Sequence, residues 1–162
     1  MEQITNIFMQ NAVKEIMSTH LETIDVTENA QGAAKKMKDK RISSVLVIDR
    51  NKKSEEPLGI VTERDLVNRV CAAGRSSREV SIREIMSSPI ATVEAEATVQ
   101  TAADLMLSNK VRHLLVVNEQ TGKPAGIIAP SDLNKYLRAS IDMDEVNSRI
   151  LEAIKAEELT EP

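Results

Sequence analysis

The sequence predicts an α+β protein: two β-α-β-β-α repeats related by a pseudo-twofold axis, sheets packed together and helices outside. Three observations carry this prediction. The first is composition. Of 162 residues, 41% are hydrophobic but only 1% aromatic (Phe8 and Tyr136), so the core is made of Ile, Val, Leu, Ala and Met. The second is an internal repeat. Val13-Lys14-Glu15-Ile16-Met17-Ser18 matches Ile82-Arg83-Glu84-Ile85-Met86-Ser87, an offset of 69 from Ile16 to Ile85. The third is the alternation of short β-branched runs with apolar residues at helical spacing.

The elements follow in order. Thr23 to Val26 and Ala91 to Val93 read as short strands. Ala30, Ala33, Ala34 and Met37, and likewise Val99, Ala102, Ala103 and Met106, recur at helical spacing and predict a buried helix face. Val45 to Ile48 and Leu114 to Val117 are short, apolar and bounded by polar residues, the pattern of buried strands. Leu58 to Val61 and Ala125 to Ile128 form a further strand in each copy. From Gly59 to Gly126 the offset shortens to 67, so the loop before this strand absorbs a length change. Helices then start near Glu63 and Ser131. Residues 10–73 form the first repeat, 74–81 a linker, 82–139 the second repeat and 140–162 a C-terminal helix and tail. Val146, Ile150, Leu151 and Ile154 give that last helix its spacing.

Composition also limits function. With a net charge of −4 the chain has no general field to attract nucleic acid or an anionic membrane, and too few rings for a base-stacking platform. One cysteine, Cys71, excludes an internal disulfide and a Cys-rich zinc site. Two histidines, His20 and His113, leave little for another metal centre. No apolar run approaches the ~20 residues of a membrane span, and the first residues do not read as a signal sequence. A cytoplasmic, non-enzymatic protein is expected. No paired acid and base, nucleophile or phosphate-cradling Gly-Lys loop argues for catalysis.

The ordered motifs carry a resemblance. Ile16-Met17 and Ile85-Met86 open the repeats. Val45-Leu46-Val47-Ile48-Asp49 and Leu114-Leu115-Val116-Val117-Asn118 follow, and then Gly59-Ile60-Val61-Thr62-Glu63-Arg64-Asp65-Leu66. Together, and occurring twice, they resemble a tandem pair of cystathionine-β-synthase (CBS) domains, the Bateman module, here as a stand-alone unit. The resemblance implies an energy-sensing regulatory module that binds AMP, ADP or ATP, or in some members S-adenosylmethionine, in two clefts. It implies a homodimer that signals to an unidentified protein target. It also implies site residues. The first cleft would use Thr62, Arg64 and Asp65 with Arg41, Ile42 and Ser43, and the opposing segment Met86, Ser87, Pro89 and Ile90. The second would use Ser131 and Asp132 with Arg112, His113 and Ser43, and the opposing segment Met17, Ser18 and Glu22. Asp would hold the ribose hydroxyls; Thr or Ser and Arg would hold phosphate.

The second copy departs from this pattern. It reads Gly126-Ile127-Ile128-Ala129-Pro130-Ser131-Asp132, without the hydroxyl of Thr62, while the first has Ser43-Ser44 where the second has Arg112-His113. On this reading each cleft keeps part of the phosphate equipment, and the two differ in preference. A simpler reading stands beside it. Thr62 and Asp65 have the spacing of a helix capping box, and Arg112 and His113 could merely begin a strand. The methionines Met17, Met37, Met86 and Met106 read as core fillers, with Met17 and Met86 also placed to edge an adenine. Cys71 is expected to be buried and inert, and Lys35, Lys36, Lys38 and Lys40 to form a solvated helix face. A purely structural dimerisation module is the alternative function.

Overall fold

The computed structural model describes residues 11–52 and 56–140. The expected C-terminal helix lies outside them. The chain forms β1 (Thr23–Asp25), α1 (Ala30–Lys40), β2 (Ser44–Ile48), β3 (Gly59–Thr62) and α2 (Glu63–Leu66), which runs on as a π-helical turn over Val67–Cys71. Then come α3 (Ile82–Ile85), β4 (Thr92–Glu94), α4 (Val99–Ser108), β5 (Leu114–Val117), β6 (Pro124–Ile128) and α5 (Pro130–Ser140). Each repeat contributes a three-stranded sheet whose middle strand is parallel to the first and antiparallel to the third.

Side-chain alternation explains the layering. Val45 and Val47 of β2 face one core with Ile24, Val61, Ala30, Ala33 and Met37, whereas Leu46 between them faces the other way. In β5, Leu114 and Val116 face a second core with Val93, Ala102 and Met106, and Leu115 faces Leu46 and Ile60. The sheets therefore meet through Leu46, Ile60 and Leu115, and α1 and α4 cover their outer faces. Ala34, expected on the buried side of α1, is exposed: it lies just past the edge of the stripe formed by Ala30, Ala33 and Met37.

The repeats exchange their opening segments. Ile82 and Ile85, from the second repeat, are fully buried in the first core, and Val13, from the first repeat, is fully buried in the second. Among the described residues, four backbone bridges hold the exchange, including Ala12 with Thr98 and Asn29 with Ser81. Ser87 pairs with Ile60 at the free edge of β3, and Ser18 pairs with Ile127 on β6. The stretch expected as a linker takes part, because Val80 is buried in the first core and its carbonyl accepts from the Ala30 amide at 2.9 Å.

Capping decides how regular each opening segment is. Ser81 and Glu84 form a capping box at the start of α3. The matching residue in the first copy, Ala12, has no side-chain acceptor, and only a single 3₁₀ turn forms over Val13–Glu15. The amides of Val13 and Lys14 donate instead to the carbonyls of Ala97 and Ala95, at 2.8 and 3.0 Å. Cys71 corrects the sequence expectation: it is exposed. The wider π-helical turn places Val70 in the core and leaves its neighbour on the surface.

Candidate functional site

Two cavities open between the repeats, of about 460 Å³ and about 490 Å³. The first gathers Thr62, Arg64, Asp65, Ser87, Pro89 and Ile90 as expected, but with Arg112 and His113. The second gathers Ser131, Asp132, Ser18 and Glu22 with Arg41, Ile42, Ser43 and His113. Arg41 and Ile42 thus stand in the opposite cleft from the one expected, as does Arg112. Ser43 lines only the second cavity, and His113 lines both. Residues 41–43 enter β2 beside β3's C-terminal end, where the Ser43 carbonyl accepts from the Glu63 amide at 3.0 Å, and their side chains line the cavity of the Ser131-Asp132 helix start of the other repeat. Thr62, Arg64 and Arg112 share one cavity, so one hydroxyl and two guanidinium groups are gathered there rather than divided between the two.

Met17 and Met86 line neither cavity. They cover the glycines that open the third strands. A β-carbon on Gly59 would lie 2.9 Å from the Met86 sulfur and 2.8 Å from the Ser87 carbonyl oxygen. One on Gly126 would lie 2.6 Å from the Met17 sulfur and 2.7 Å from the Ser18 carbonyl oxygen. The glycine in each motif is therefore a place for the crossing segment, not a ligand contact.

The capping box is real. The Asp65 Oδ2 accepts from the Thr62 amide at 2.9 Å and from its hydroxyl at 2.7 Å, while Thr62 Oγ1 accepts from the Asp65 amide at 3.3 Å. The other oxygen, Oδ1, lies 3.5 Å from Ser87 Oγ and 3.6 Å from Arg69 Nε. Asp132 keeps half of this arrangement. Its Oδ2 accepts from the Ala129 amide at 2.9 Å, although Ala129 offers no hydroxyl in return.

Arg69 is a cavity residue that the motif does not contain. Its Nη1 donates to the carbonyls of Ile85 and Met86 at 2.7 and 3.1 Å, tying α2's extension to the crossing segment of the other repeat. Its spacing of four residues from Asp65 signals the ion pair between them at 3.6 Å, but not the reach to the other repeat. Lys110, absent from the expected site residues, lines the first cavity, and Arg41, expected in the first cleft, lines the second. Both adopt φ 55°, and their left-handed backbone turns the chain from α4 and α1 toward the next strand and brings a cation to each cavity. The expected lysine face is partly engaged: Lys36 and Lys40 approach Glu22 at 3.6 and 3.4 Å, and Lys38 lines the second cavity.

His113 joins the two clefts. Its Nε2 shares a hydrogen bond of 2.8 Å with Ser43 Oγ across the repeat boundary. A smaller cavity of about 190 Å³, lined by both residues with Glu63, Arg112 and Ser131, lies at the same junction. Burial pushes the imidazole down to about 4; Arg112 and Arg64 add to this and Asp65 opposes it. The sign follows from linkage. The unfolded chain takes up this proton near pH 6.5 while the folded chain resists it, so the stability His113 contributes is complete above pH 6.5 and is lost as pH falls toward 4. Melting temperatures at pH 7 and pH 5 should therefore differ more for the wild type than for His113→Gln; equal differences would contradict the buried neutral imidazole. The depressed Asp25 carboxyl, held at about 2 chiefly by its hydrogen bond from the Thr27 hydroxyl, titrates below this window.

These features coincide with a known family. The family model for the CBS domain matches residues 13–72 and again 82–139. The chain belongs to the CBS domain family. This CBS pair is 37% identical over 134 residues to an uncharacterised protein of Methanopyrus kandleri, a match spanning 81% of this chain and 66% of that protein, just under two thirds. It is 33% identical to an uncharacterised protein of Bacillus subtilis, over 75% of this chain and 79% of that one. Among solved structures, a CBS-domain protein of Agrobacterium tumefaciens is 28% identical with a TM-score of 0.68, over 78% of this chain and 93% of its own. A hexameric CBS-CP12 protein of bloom-forming cyanobacteria is also 28% identical, with a TM-score of 0.69 over 91% and 88%. The CBS pair is in general a regulatory, ligand-binding module rather than a catalytic one. Among the described residues there is no cluster of metal-ligating side chains and no helix long and apolar enough to cross a membrane.

Proposed function

We propose that this CBS pair is a non-enzymatic sensor. It binds adenosine nucleotides of the AMP, ADP and ATP class in its two clefts and transmits their occupancy to a partner protein. The observation that supports this reading is the placement of Asp65 and Asp132. Each stands at a helix start on a cavity wall with one carboxylate oxygen tied back to the backbone, and the other oxygen of Asp65 has only the long contacts to Ser87 Oγ at 3.5 Å and Arg69 Nε at 3.6 Å. A carboxylate so held suits the two hydroxyls of a ribose. The cavities are of a size that holds a nucleotide-scale ligand, and their aliphatic walls, Ile60 with Ile90 and Leu46 with Ile127, offer surface to a base. Ligand in a cleft touches both repeats, and it favours one relative arrangement only through differential affinity for the two. Pairing of two chains through helix faces that include the exposed Val67 belongs to the same reading.

One observation favours a second reading. Both carboxylates already serve as helix caps, which a purely structural module would need equally. Thermal melting separates the two. At 100 times its dissociation constant, AMP, ADP or ATP should add about 2.7 kcal/mol to the folded state, and the shift should fall in Asp65→Ala, Asp132→Ala or both. S-adenosylmethionine belongs in the same screen. No shift with any adenosine compound at millimolar concentration would leave only the structural reading. A shift untouched by both substitutions would refute the site.

A further inference from the structure

We infer that the two clefts take different classes of adenosine compound. The cleft at Thr62 takes a nucleotide with a polyphosphate chain, and the cleft at Asp132 takes an adenosine compound without one. This rests on the adenosine reading above and assigns a ligand class to each of its sites.

The crossing of the chain carries the inference. Because Arg112 lies with Arg64, one cavity holds two guanidinium groups able to fork onto phosphate oxygens, beside a Thr62 hydroxyl that donates to Asp65 Oδ2 at 2.7 Å. At the equivalent places the other cavity has Ala129 for Thr62, Ser43 for Arg112 and Ser131 for Arg64. The walls differ in charge in the same sense. Arg64, Arg69, Lys110 and Arg112 surround the first cavity against the single carboxylate of Asp65. Lys38, Arg41 and Lys135 line the second against the carboxylates of Glu22, Glu63 and Asp132, so its wall carries no net charge with the imidazoles neutral.

Glu22 sharpens the contrast. It occupies the place that Ala91 holds in the first cavity, a carboxylate where the other wall has a methyl group. Lys36 and Lys40 approach that carboxylate at 3.6 and 3.4 Å, and His20 bonds to it at 2.9 Å. An added triphosphate there would have to compete with Glu22 for these cations and would meet Glu63 and Asp132 without a guanidinium fork in the wall beyond Arg41. A ribose with an uncharged or cationic 5′ substituent meets no such opposition. His113, neutral and shared, offers a hydrogen bond to either side without supplying charge.

The test is calorimetric titration of the full chain with ATP, adenosine and S-adenosylmethionine. ATP is expected to fill one site per chain, weaken about tenfold or more in Arg112→Ala, and weaken again when salt is raised from low to physiological strength. With ATP saturating, adenosine or S-adenosylmethionine should still fill one further site. That site should be lost in Asp132→Ala and also in Asp132→Asn, which keeps an acceptor for the Ala129 amide and so separates ligand binding from helix capping. ATP filling two sites of matching affinity would overturn the inference while leaving the adenosine reading intact. So would loss of ATP binding in Asp132→Asn as severe as in Asp65→Asn. No binding by any of the three compounds would overturn both.

Discussion

Replacing Ile85 by alanine should destabilise the first repeat's core, although Ile85 lies in the sequence of the second repeat. The side chain is fully buried beside Ile24, Val45 and Val61. Removing it takes away its burial and leaves a cavity, at a cost of about 2–5 kcal/mol. In a domain of this size each kcal/mol lowers the melting temperature by about 2–4 °C. The form of the transition matters as much as its position. The two cores each contain the other repeat's opening segment, so neither repeat can close alone, and the loss should appear as one shifted transition in urea. Two separate transitions, with only one moved by the substitution, would show that the repeats fold independently and that the exchange of segments contributes little.

Gly126→Ala should be the next most damaging single change outside the core side chains. The new methyl would meet the Met17 sulfur at 2.6 Å and the Ser18 carbonyl oxygen at 2.7 Å. The thioether can swing aside, but the carbonyl cannot move freely. It accepts from the Ile127 amide at 2.9 Å while the Ser18 amide donates to the Ile127 carbonyl at 2.9 Å. Relief of the clash therefore breaks this bridge and moves one wall of the Asp132 cleft. Overpacking of this kind costs about 1–3 kcal/mol. Gly32→Ala is the contrast. There the new methyl meets only the end of the Glu28 side chain, which can rotate away, and a helical alanine gains about 0.5–1 kcal/mol over glycine. Chemical denaturation of the two variants checks the pair. If Gly126→Ala matches the wild type in stability, the glycine is not holding the crossing segment.

Both outcomes turn on features that were visible as motifs and invisible as reasons. The Ile-Met-Ser and Gly-Ile-Val/Ile fragments stand out because they recur. Nothing in either fragment alone says that the first fragment of one copy crosses the second fragment of the other. The same division runs through the site. Asp65, Thr62 and Asp132 were legible because a helix start has a local signature, a hydroxyl or carboxylate at fixed spacing before an apolar turn. Arg69 was not, because its role is to reach the carbonyls of Ile85 and Met86, sixteen and seventeen residues on, and no local pattern records that.

What the sequence by itself determined about this protein is its architecture. Offset copies, period-2 strands and 3.6-period helices depend on contacts within a few residues, so they are written locally and twice. The tertiary structure alone decided which half-sites face each other. Arg112 joins Thr62 and Arg64, while Arg41 and Ser43 join Asp132, because each opening segment docks on the opposite sheet's edge and brings the far strand entries with it. That choice is a matter of packing between segments far apart in the chain, where the free energy comes from burial of Val13, Ile82 and Ile85 across the pseudo-twofold axis. The same packing gathered Thr62, Arg64 and Arg112 into one cleft and lined the other with as many carboxylates as cationic side chains.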